Sequence, residues 1–169
     1  MSLVVAIKDN GKVVIGADSQ STRGSSRTSL SNQNNYKIWK VKGVENCLMG
    51  HAGALRDACA IRVMTGLIDE LTITKDDVDY EYVVNEITPK IIEELKERLY
   101  VKVDGYFDML ESRFILAYKD RLFLISNDGT VLEIDDYRAI GSGESEAIGS
   151  LLSTGNEKDI SEKTLKKNL

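Results

Sequence analysis

The chain has 169 residues and a formal net charge of −5, and 42% of its residues are hydrophobic while 29% are charged. This length and apolar content suit one domain with its own core. The acidic balance argues against nucleic acid as the main partner, since phosphate binding needs a basic face. No apolar run approaches the roughly 20 residues that span a bilayer, so we expect no membrane partner either.

The start of the chain and its two cysteines bear on the compartment. No cationic and apolar leader precedes the first apolar stretch, which argues against a secretory signal. Cys47 and Cys59 do not have the spacing of a metal or redox motif. Both lie in apolar stretches, so we predict buried thiols in a reducing, cytoplasmic compartment.

The first half of the sequence begins with strand signals. Four stretches of β-branched and apolar residues predict strands: 3–8, 13–18, 36–41 and 45–50. Asn10-Gly11 between the first two is a strong hairpin signal, because both residues tolerate positive φ. The polar residues 19–35 predict a long loop, and a loop of this length is usually functional or mobile.

Helical periodicity follows. Apolar residues at every fourth position predict a first helix: Leu55, Cys59, Val63, Leu67 and Leu71. The same spacing predicts a second helix: Val83, Ile87, Ile91, Leu95 and Leu99. Pro89 interrupts the second pattern and predicts either a kink or the effective start of that helix.

Strand character returns in the second half, over 113–118, 121–126, 130–134 and 137–140. Gly141-Ser142-Gly143 then precedes a helix through Ala147 and Leu152, and Asp159 or Ser161 can cap a last helix. Strands and helices therefore occur in separate runs. Such runs indicate an α+β layered domain rather than alternating β-α units.

Three features near the start of the chain suit an enzyme whose nucleophile is its own N-terminal residue. Asp18 ends the second predicted strand, Lys37 opens the third, and the turn His51-Ala52-Gly53-Ala54 leads into a helix. A free α-amine has a reference pKa of about 7.7–8.0, so it can act as base for the hydroxyl of its own residue. A lysine can lower the pKa of that hydroxyl, a carboxylate can hold the lysine, and backbone N–H groups of the turn can stabilise an oxyanion.

Four segments in order along the chain resemble the proteasome β-subunit and HslV family of N-terminal-nucleophile hydrolases: ADSQSTRG (17–24), YKIWKV (36–41), GHAGALRDA (50–58) and AIGSGESEA (139–147). The resemblance implies these catalytic residues: Ser2, Asp18, Lys37, Gly53 and Ser142. The substrate-binding positions that go with them are Ser21, Thr22 and His51. The family most often has threonine as nucleophile, and serine can perform the same chemistry once Met1 is removed.

The resemblance also implies the architecture and the partners. The fold would be a four-layer αββα sandwich, in which two antiparallel sheets are flanked by helices. The activity would be that of a threonine/serine-type peptidase on peptides or unfolded polypeptides, in a homo-oligomeric ring, with an ATP-dependent unfoldase as partner and with neither metal nor cofactor. The family continues into further strands beyond the position of Leu169, so we expect a single domain over residues 1–169 that is either truncated there or a diverged, minimal relative.

Other interpretations stay open at this stage. Met1-Ser2-Leu3 could be a cloning remnant, in which case Ser2 is not the native nucleophile. Asp18 could be a turn residue and Lys37 a solvated edge lysine. His51 has no evident triad partner and is interpreted as structural or pocket-lining rather than as a general base. The chain could also be a catalytically silent ring subunit, or an amidase that acts on a small molecule.

Overall fold

A computed structural model describes residues 2–23, 25–75, 78–98, 102–104 and 107–154. The strands in chain order are β1 Leu3–Asp9, β2 Lys12–Ala17, β3 Gln20–Arg23, β4 Ser26–Ser29, β5 Ile38–Lys40, β6 Cys47–Ala52, β7 Lys102–Asp104, β8 Phe107–Met109, β9 Arg113–Tyr118, β10 Arg121–Ile125, β11 Val131–Glu133 and β12 Tyr137–Gly141. The α-helices are α1 Leu55–Val63, α2 Glu70–Lys75, α3 Tyr80–Tyr82, α4 Thr88–Glu97 and α5 Glu144–Thr154.

Strands β1, β2 and β12 form a three-stranded antiparallel sheet with β1 in the centre. The predicted Asn10-Gly11 turn joins β1 to β2, and its two residues have φ angles of 48° and 72°. Leu3 lies opposite Gly141 of β12, and Val4 lies opposite Ala17 of β2. The start of β1 therefore lies between the ends of β2 and β12.

A second, five-stranded antiparallel sheet has the order β11-β10-β9-β6-β5. Its strands match the predicted ones to within a few residues. The backbone N–H of His51 donates to the carbonyl of Lys37 at 2.9 Å, which extends the pairing of β5 with β6. The pairing of β6 with β9 places Ala52 opposite Arg113.

The polar segment 19–35, for which the sequence predicts a long loop, instead forms a hairpin of β3 and β4 followed by a 3₁₀ turn at Gln33–Asn35. Ser21 lies opposite Thr28 in this hairpin, and β4 is exposed along its whole length. A strand that buries no apolar face has no hydrophobic period, so the sequence pattern could not reveal it. The hairpin of β7 and β8 is likewise not predicted.

The first helix is shorter than its apolar pattern predicts. It ends at Val63, and Gly66 with a φ of 74° separates it from α2. Val63 and Leu71 are 60% and 63% exposed, so the predicted apolar face of a single long helix is wrong. The residues of α1 that are buried are Asp57, Ala58, Ala60 and Ile61. Ala58 and Ala60 belong to the core that α1 shares with α4 and the larger sheet, but alanines give a weak apolar signal.

The two cysteines differ in their environment. Cys47 is buried in β6 as predicted, and burial raises the pKa of its thiol to about 12. Cys59 is exposed on α1, so the prediction of a buried thiol is wrong at this position. The reason is the same as for Val63: the buried side of α1 is the one that carries Asp57 and Ile61.

The second predicted helix is confirmed over the described residues. Its apolar stripe is fully buried at Val83, Ile87, Ile91 and Leu95, while Leu99 lies outside the described residues. Pro89 lies in the first turn of α4, directly after a π-helical turn at Val83–Ile87. Proline has no N–H to donate to the preceding turn, so the helical hydrogen-bond pattern changes from π to α at this point. Pro89 thus marks the effective start of α4, one of the two outcomes that the sequence predicts.

The two sheets pack face to face, with helices on both outer surfaces. The core between α1, α4 and the larger sheet includes Met49, Ile61, Ile91, Leu95 and Phe114. The core between the sheets includes Val4, Ala6, Ile115, Leu122, Leu124 and Ile140. The core between the smaller sheet and α5 includes Val5, Ile7, Ala139, Ala147 and Leu151. Successive residues of β1 face opposite sides, as the period of a strand requires, and the predicted αββα sandwich is confirmed.

Two sequence-based predictions concern the end of the chain. The last helix, beginning at Asp159 or Ser161, and the single domain up to residue 169 involve residues beyond the described range. The single domain over residues 1–169 therefore stays a prediction. Among the described residues, no helix is both long and apolar enough to cross a membrane.

Candidate active site

Ser2 lies at the start of β1, against the turn that follows β12. Its backbone N–H donates to Ser142 Oγ at 2.8 Å, and its carbonyl accepts the Gly143 N–H at 3.4 Å. Gly141 has a φ of 114°, and a Cβ at this position would overlap the carbonyl oxygen of Ser2. Glycine at position 141 is therefore what lets the serine-containing turn approach Ser2.

Asp18 and Lys37 form an ion pair beside the start of β1. Lys37 Nζ lies 2.8 Å from Asp18 Oδ1, and the lysine side chain is only 5% exposed. The same carboxylate oxygen accepts the Leu3 N–H at 2.6 Å, and Oδ2 accepts the Gln20 N–H at 3.2 Å. The alternative of a solvated edge lysine is wrong at Lys37, whereas Lys40 at the other end of β5 is exposed.

Gly53 lies in the turn between β6 and α1 and has a φ of 142°. A Cβ at this position would lie 2.6 Å from both Cα and Oγ of Ser112. Only glycine combines this conformation with this contact, so the turn depends on it. The close packing on Ser112 fixes the backbone of the turn, which is what an N–H group directed at an oxyanion requires.

A buried polar network supports the Gly53 turn from beneath. His51 Nε2 lies 2.9 Å from the carbonyl oxygen of Ala54 and 3.1 Å from Ser112 Oγ. A carbonyl oxygen only accepts, so Nε2 carries the imidazole proton. Ser112 Oγ donates to Asp57 Oδ2 at 2.7 Å. The three side chains are all buried, with Asp57 fully so.

Burial moves the pKa values of this network in opposite directions. It lowers the pKa of His51 to about 4, and the positive charges of Lys37 and Arg62 act in the same direction. It raises the pKa of Asp57, against the hydrogen bond from Ser112 and the charge of Arg56. His51 is therefore neutral near pH 7. A neutral side chain that already donates to Ala54 suits a pocket wall better than a general base.

The predicted site residues meet at one open cavity of about 350 Å³. Seven of them line it: Ser2, Ser21, Thr22, Lys37, His51, Gly53 and Ser142. Asp18, the eighth, holds Lys37 from behind and lines a neighbouring cavity of about 510 Å³. The starts of β1 and β5, the strands β3 and β6, and the turns after β6 and β12 supply these residues, so the cavity lies at one end of the two sheets.

The structure adds residues to the site that the sequence analysis does not single out. Arg113, the first residue of β9, lines the cavity, and its guanidinium lies 2.7 Å from the Glu144 carboxylate. Ser112 and Asp57 lie under the Gly53 turn. Arg113 and Ser112 carry no local signal, because the pairing of β6 with β9 brings them to the site from a distant part of the sequence. Asp57 lies within the segment GHAGALRDA (50–58), but the sequence does not show that it pairs with Ser112.

Comparison with known proteins identifies the family. A family model described as a proteasome subunit matches residues 2–168. The chain belongs to the proteasome subunit family. It is 30% identical over 166 residues to the ATP-dependent protease subunit HslV of Campylobacter concisus, across 97% of this chain and 84% of that one. It is also 30% identical over 148 residues to HslV of Caldicellulosiruptor saccharolyticus, across 87% and 74% of the two chains.

Solved structures share the fold of this proteasome family member. HslV from Trypanosoma brucei superposes with a TM-score of 0.61 at 24% identity, over 98% of this chain and 87% of that one. Thiobacillus denitrificans BPH in complex with epoxomicin gives a TM-score of 0.71 at 18% identity, over 98% and 86%. The predicted fold is confirmed by these likenesses, and the predicted enzyme class, a proteasome-like N-terminal-nucleophile peptidase, by the family.

Proposed function

We propose that removal of Met1 makes Ser2 the N-terminal nucleophile of this peptidase. The observation that carries the proposal is the convergence of Ser2, Lys37, Gly53 and Ser142 on one cavity. With Met1 attached, the nitrogen of Ser2 is an amide that donates to Ser142 Oγ at 2.8 Å. With Met1 removed, the same nitrogen is an amine whose lone pair can accept a proton.

The reaction would follow from these positions. The Ser2 hydroxyl gives its proton to its own α-amine and attacks the scissile carbonyl carbon, while the carbonyl electron pair moves to the oxygen. The Gly53 N–H donates to that oxyanion. Collapse of the tetrahedral intermediate breaks the C–N bond, and the leaving amine takes the proton from the α-ammonium. Water then hydrolyses the resulting serine ester and restores the free hydroxyl.

Lys37 and Asp18 would set the charge at the nucleophile. A lysine ammonium beside a hydroxyl favours its deprotonated form, and the 2.8 Å contact with Asp18 holds the ammonium in place. Two backbone N–H groups in turn fix the carboxylate. Ser142, which lies within hydrogen-bond reach of the Ser2 nitrogen, would position the α-amine and relay its proton.

Ser21 and Thr22 would bind the substrate backbone. Both lie on β3 and line the cavity. An extended peptide laid along β3 would add a strand and bring its scissile carbonyl between Ser2 and Gly53. His51, a neutral and buried side chain of the cavity wall, would contact a substrate side chain.

We also propose a homo-oligomeric ring and an ATP-driven unfoldase as partner. The HslV relatives carry the name ATP-dependent protease subunit, which supports both parts of this proposal. Unfolded polypeptides and peptides would be the substrates, and the cytoplasm the compartment.

The first test is the intact mass of the protein purified from its native source, with hydrolysis of fluorogenic peptides as the second readout. The proposal predicts a chain that begins at Ser2 and cleaves peptides, and a Ser2→Ala variant that does not. Retained Met1 on the native protein would instead support a catalytically silent subunit. Cleavage of small amides but not of peptides would support the amidase interpretation.

A further inference from the structure

We propose that Arg113 is a specificity-determining residue, which makes the cavity prefer peptides with an acidic side chain near the scissile bond. The inference rests on the proposed function and concerns the substrate class of the same site. It starts from the position of Arg113, which lines the cavity together with Ser2 and Gly53. Its side chain is 30% exposed, so a substrate can reach it.

The position of Arg113 follows from the sheet. It pairs across the β6–β9 ladder with Ala52, the residue before Gly53. It also directly follows Ser112, on which the Gly53 turn packs. A substrate held at Gly53 would therefore lie close to the Arg113 guanidinium. The residue is part of the wall on the oxyanion side.

The charged side chains that line the cavity are positive. Lys37 and Arg113 are the charged residues among those that line it, and no carboxylate is among the described lining residues. Asp18 balances Lys37 from outside the cavity. Glu144 is shared, because Arg113 lies 2.7 Å from its Oε2 and Arg138 lies 3.1 Å from its Oε1. Within this group of three side chains, one carboxylate faces two guanidinium groups, so the group carries one net positive charge.

Two further carboxylates, Asp57 and Glu111, lie nearby, and both are within ion-pair distance of Arg56. Glu111 pairs with Arg56 at 2.6 Å and lines an adjacent cavity rather than the one that holds Ser2. Arg113 touches both cavities. The contact with Glu144 uses one terminal nitrogen of Arg113. A guanidinium has five N–H donors in a planar fork, so Arg113 can hold Glu144 and also donate to a substrate carboxylate.

Glu144 fixes and partly neutralises Arg113 at the same time. Glu144 is the first residue of α5, and Arg138 belongs to β12, so the ion pairs tie β9 to the element that carries Ser142. An ordered guanidinium loses less entropy when it binds a carboxylate. Removal of the Glu144 charge would therefore have two opposite effects on the preference for acidic peptides. Loss of the ordering of Arg113 would weaken the preference, and loss of the neutralising charge would strengthen it. We expect the second effect to be the larger, because Glu144 is the carboxylate that two guanidinium groups share.

The test uses pairs of fluorogenic peptides that differ only by Glu or Gln, placed in turn at each of the three residues before the scissile bond. The measured quantity is the ratio of kcat/KM for the Glu peptide to that for the Gln peptide. We expect a ratio of about tenfold in favour of Glu at one position at low salt. The ratio should fall as NaCl screens the exposed charge.

Three variants of the full-length, Met1-processed protein define the outcome. Arg113→Gln should bring the ratio close to one, Glu144→Gln should raise it above the wild-type value, and Arg98→Gln should leave it unchanged. Arg98 pairs with Glu94 on α4 and controls for the loss of one positive charge. Each ratio is internal to one variant, so a general loss of activity cancels.

Different results would contradict the role of Arg113 and the proposed peptidase function. A wild-type ratio near one at all three positions would overturn the role of Arg113, as would an unchanged ratio in both Arg113→Gln and Glu144→Gln. If Arg113→Gln fails to fold, the direction of change in Glu144→Gln still decides. Absence of any Ser2-dependent peptide cleavage would overturn the proposed function, and this inference with it.

Discussion

Lys37 and Asp18 form a partly buried ion pair at the edge of the cavity, and two backbone N–H groups hold the carboxylate in place. Lys37 is 5% exposed, and a buried cation needs a partner, which the Asp18 carboxylate supplies at 2.8 Å. Such a pair is a weak contributor to stability, because well-packed apolar residues often do as well. A role in catalysis explains why a charged pair is retained at the edge of the cavity.

Substitution of Lys37 tests that role. We expect Lys37→Ala to lower kcat/KM for peptides by at least about 100-fold, because the hydroxyl loses the neighbouring cation. Asp18 still accepts two backbone N–H groups, so the variant should fold. Lys40→Ala, which removes an exposed lysine from the same strand, is the matched control. Equal rates for wild type and Lys37→Ala would remove Lys37 from the mechanism.

The buried histidine gives a prediction of pH-dependent stability. The pKa of His51 is lowered from 6.5 to about 4 in the folded protein. Between these values the unfolded chain binds a proton that the folded chain does not bind, so stability falls as the pH decreases through this window. The full difference corresponds to about 3 kcal/mol of unfolding free energy.

The measurement compares wild type with His51→Gln, whose amide can still donate to Ala54. Urea unfolding at pH values between 7 and 4 should show a steeper loss of stability in the wild type. Asp57 has a raised pKa and acts in the opposite sense above its ordinary value, but it is present in both proteins and cancels in the difference. Identical pH profiles would show that His51 is not a buried neutral side chain.

At the scale of elements, the sequence predicts best where one face of an element is apolar. The stripe from Val83 to Leu95 is fully buried, and the strands of both sheets are found where β-branched residues cluster. The β3–β4 hairpin is missed because its side chains are polar on both faces. The first helix is overextended because an apolar pattern continues past Gly66, although the chain there turns with a positive φ.

The π-helical turn and α4 belong to the helical layer outside the larger sheet, and a cavity-forming substitution measures the contribution of this layer to stability. Ile91→Ala should destabilise the protein by about 2–5 kcal/mol, because a fully buried side chain leaves a hole that the core cannot fill completely. Val84→Ala, one turn before Pro89 and 36% exposed, should cost less than about 1 kcal/mol. Equal shifts in the urea midpoint of the two variants would contradict the assignment of this layer.

At the scale of the whole molecule, residues from both sheets and from the turns at one end of them form the site. Local motifs at Asp18, Lys37, Gly53 and Ser142 are enough to suggest it from sequence. Arg113 is not predictable in this way, since only the long-range pairing of β6 with β9 brings it to the cavity. Glu144 lies within the segment AIGSGESEA (139–147), but its partners on two different sheets are a property of the sandwich.

The central claim is that Ser2, with its own α-amine, is the reacting group, and its most direct test is chemical. A peptide epoxyketone has two electrophilic carbons, which can react with a hydroxyl and an amine of one residue. Tandem mass spectrometry of the treated, Met1-processed protein should place a single adduct on Ser2, and Ser2→Ala should remain unlabelled. An adduct elsewhere in the chain, or no adduct on a protein that still cleaves peptides, would contradict the account.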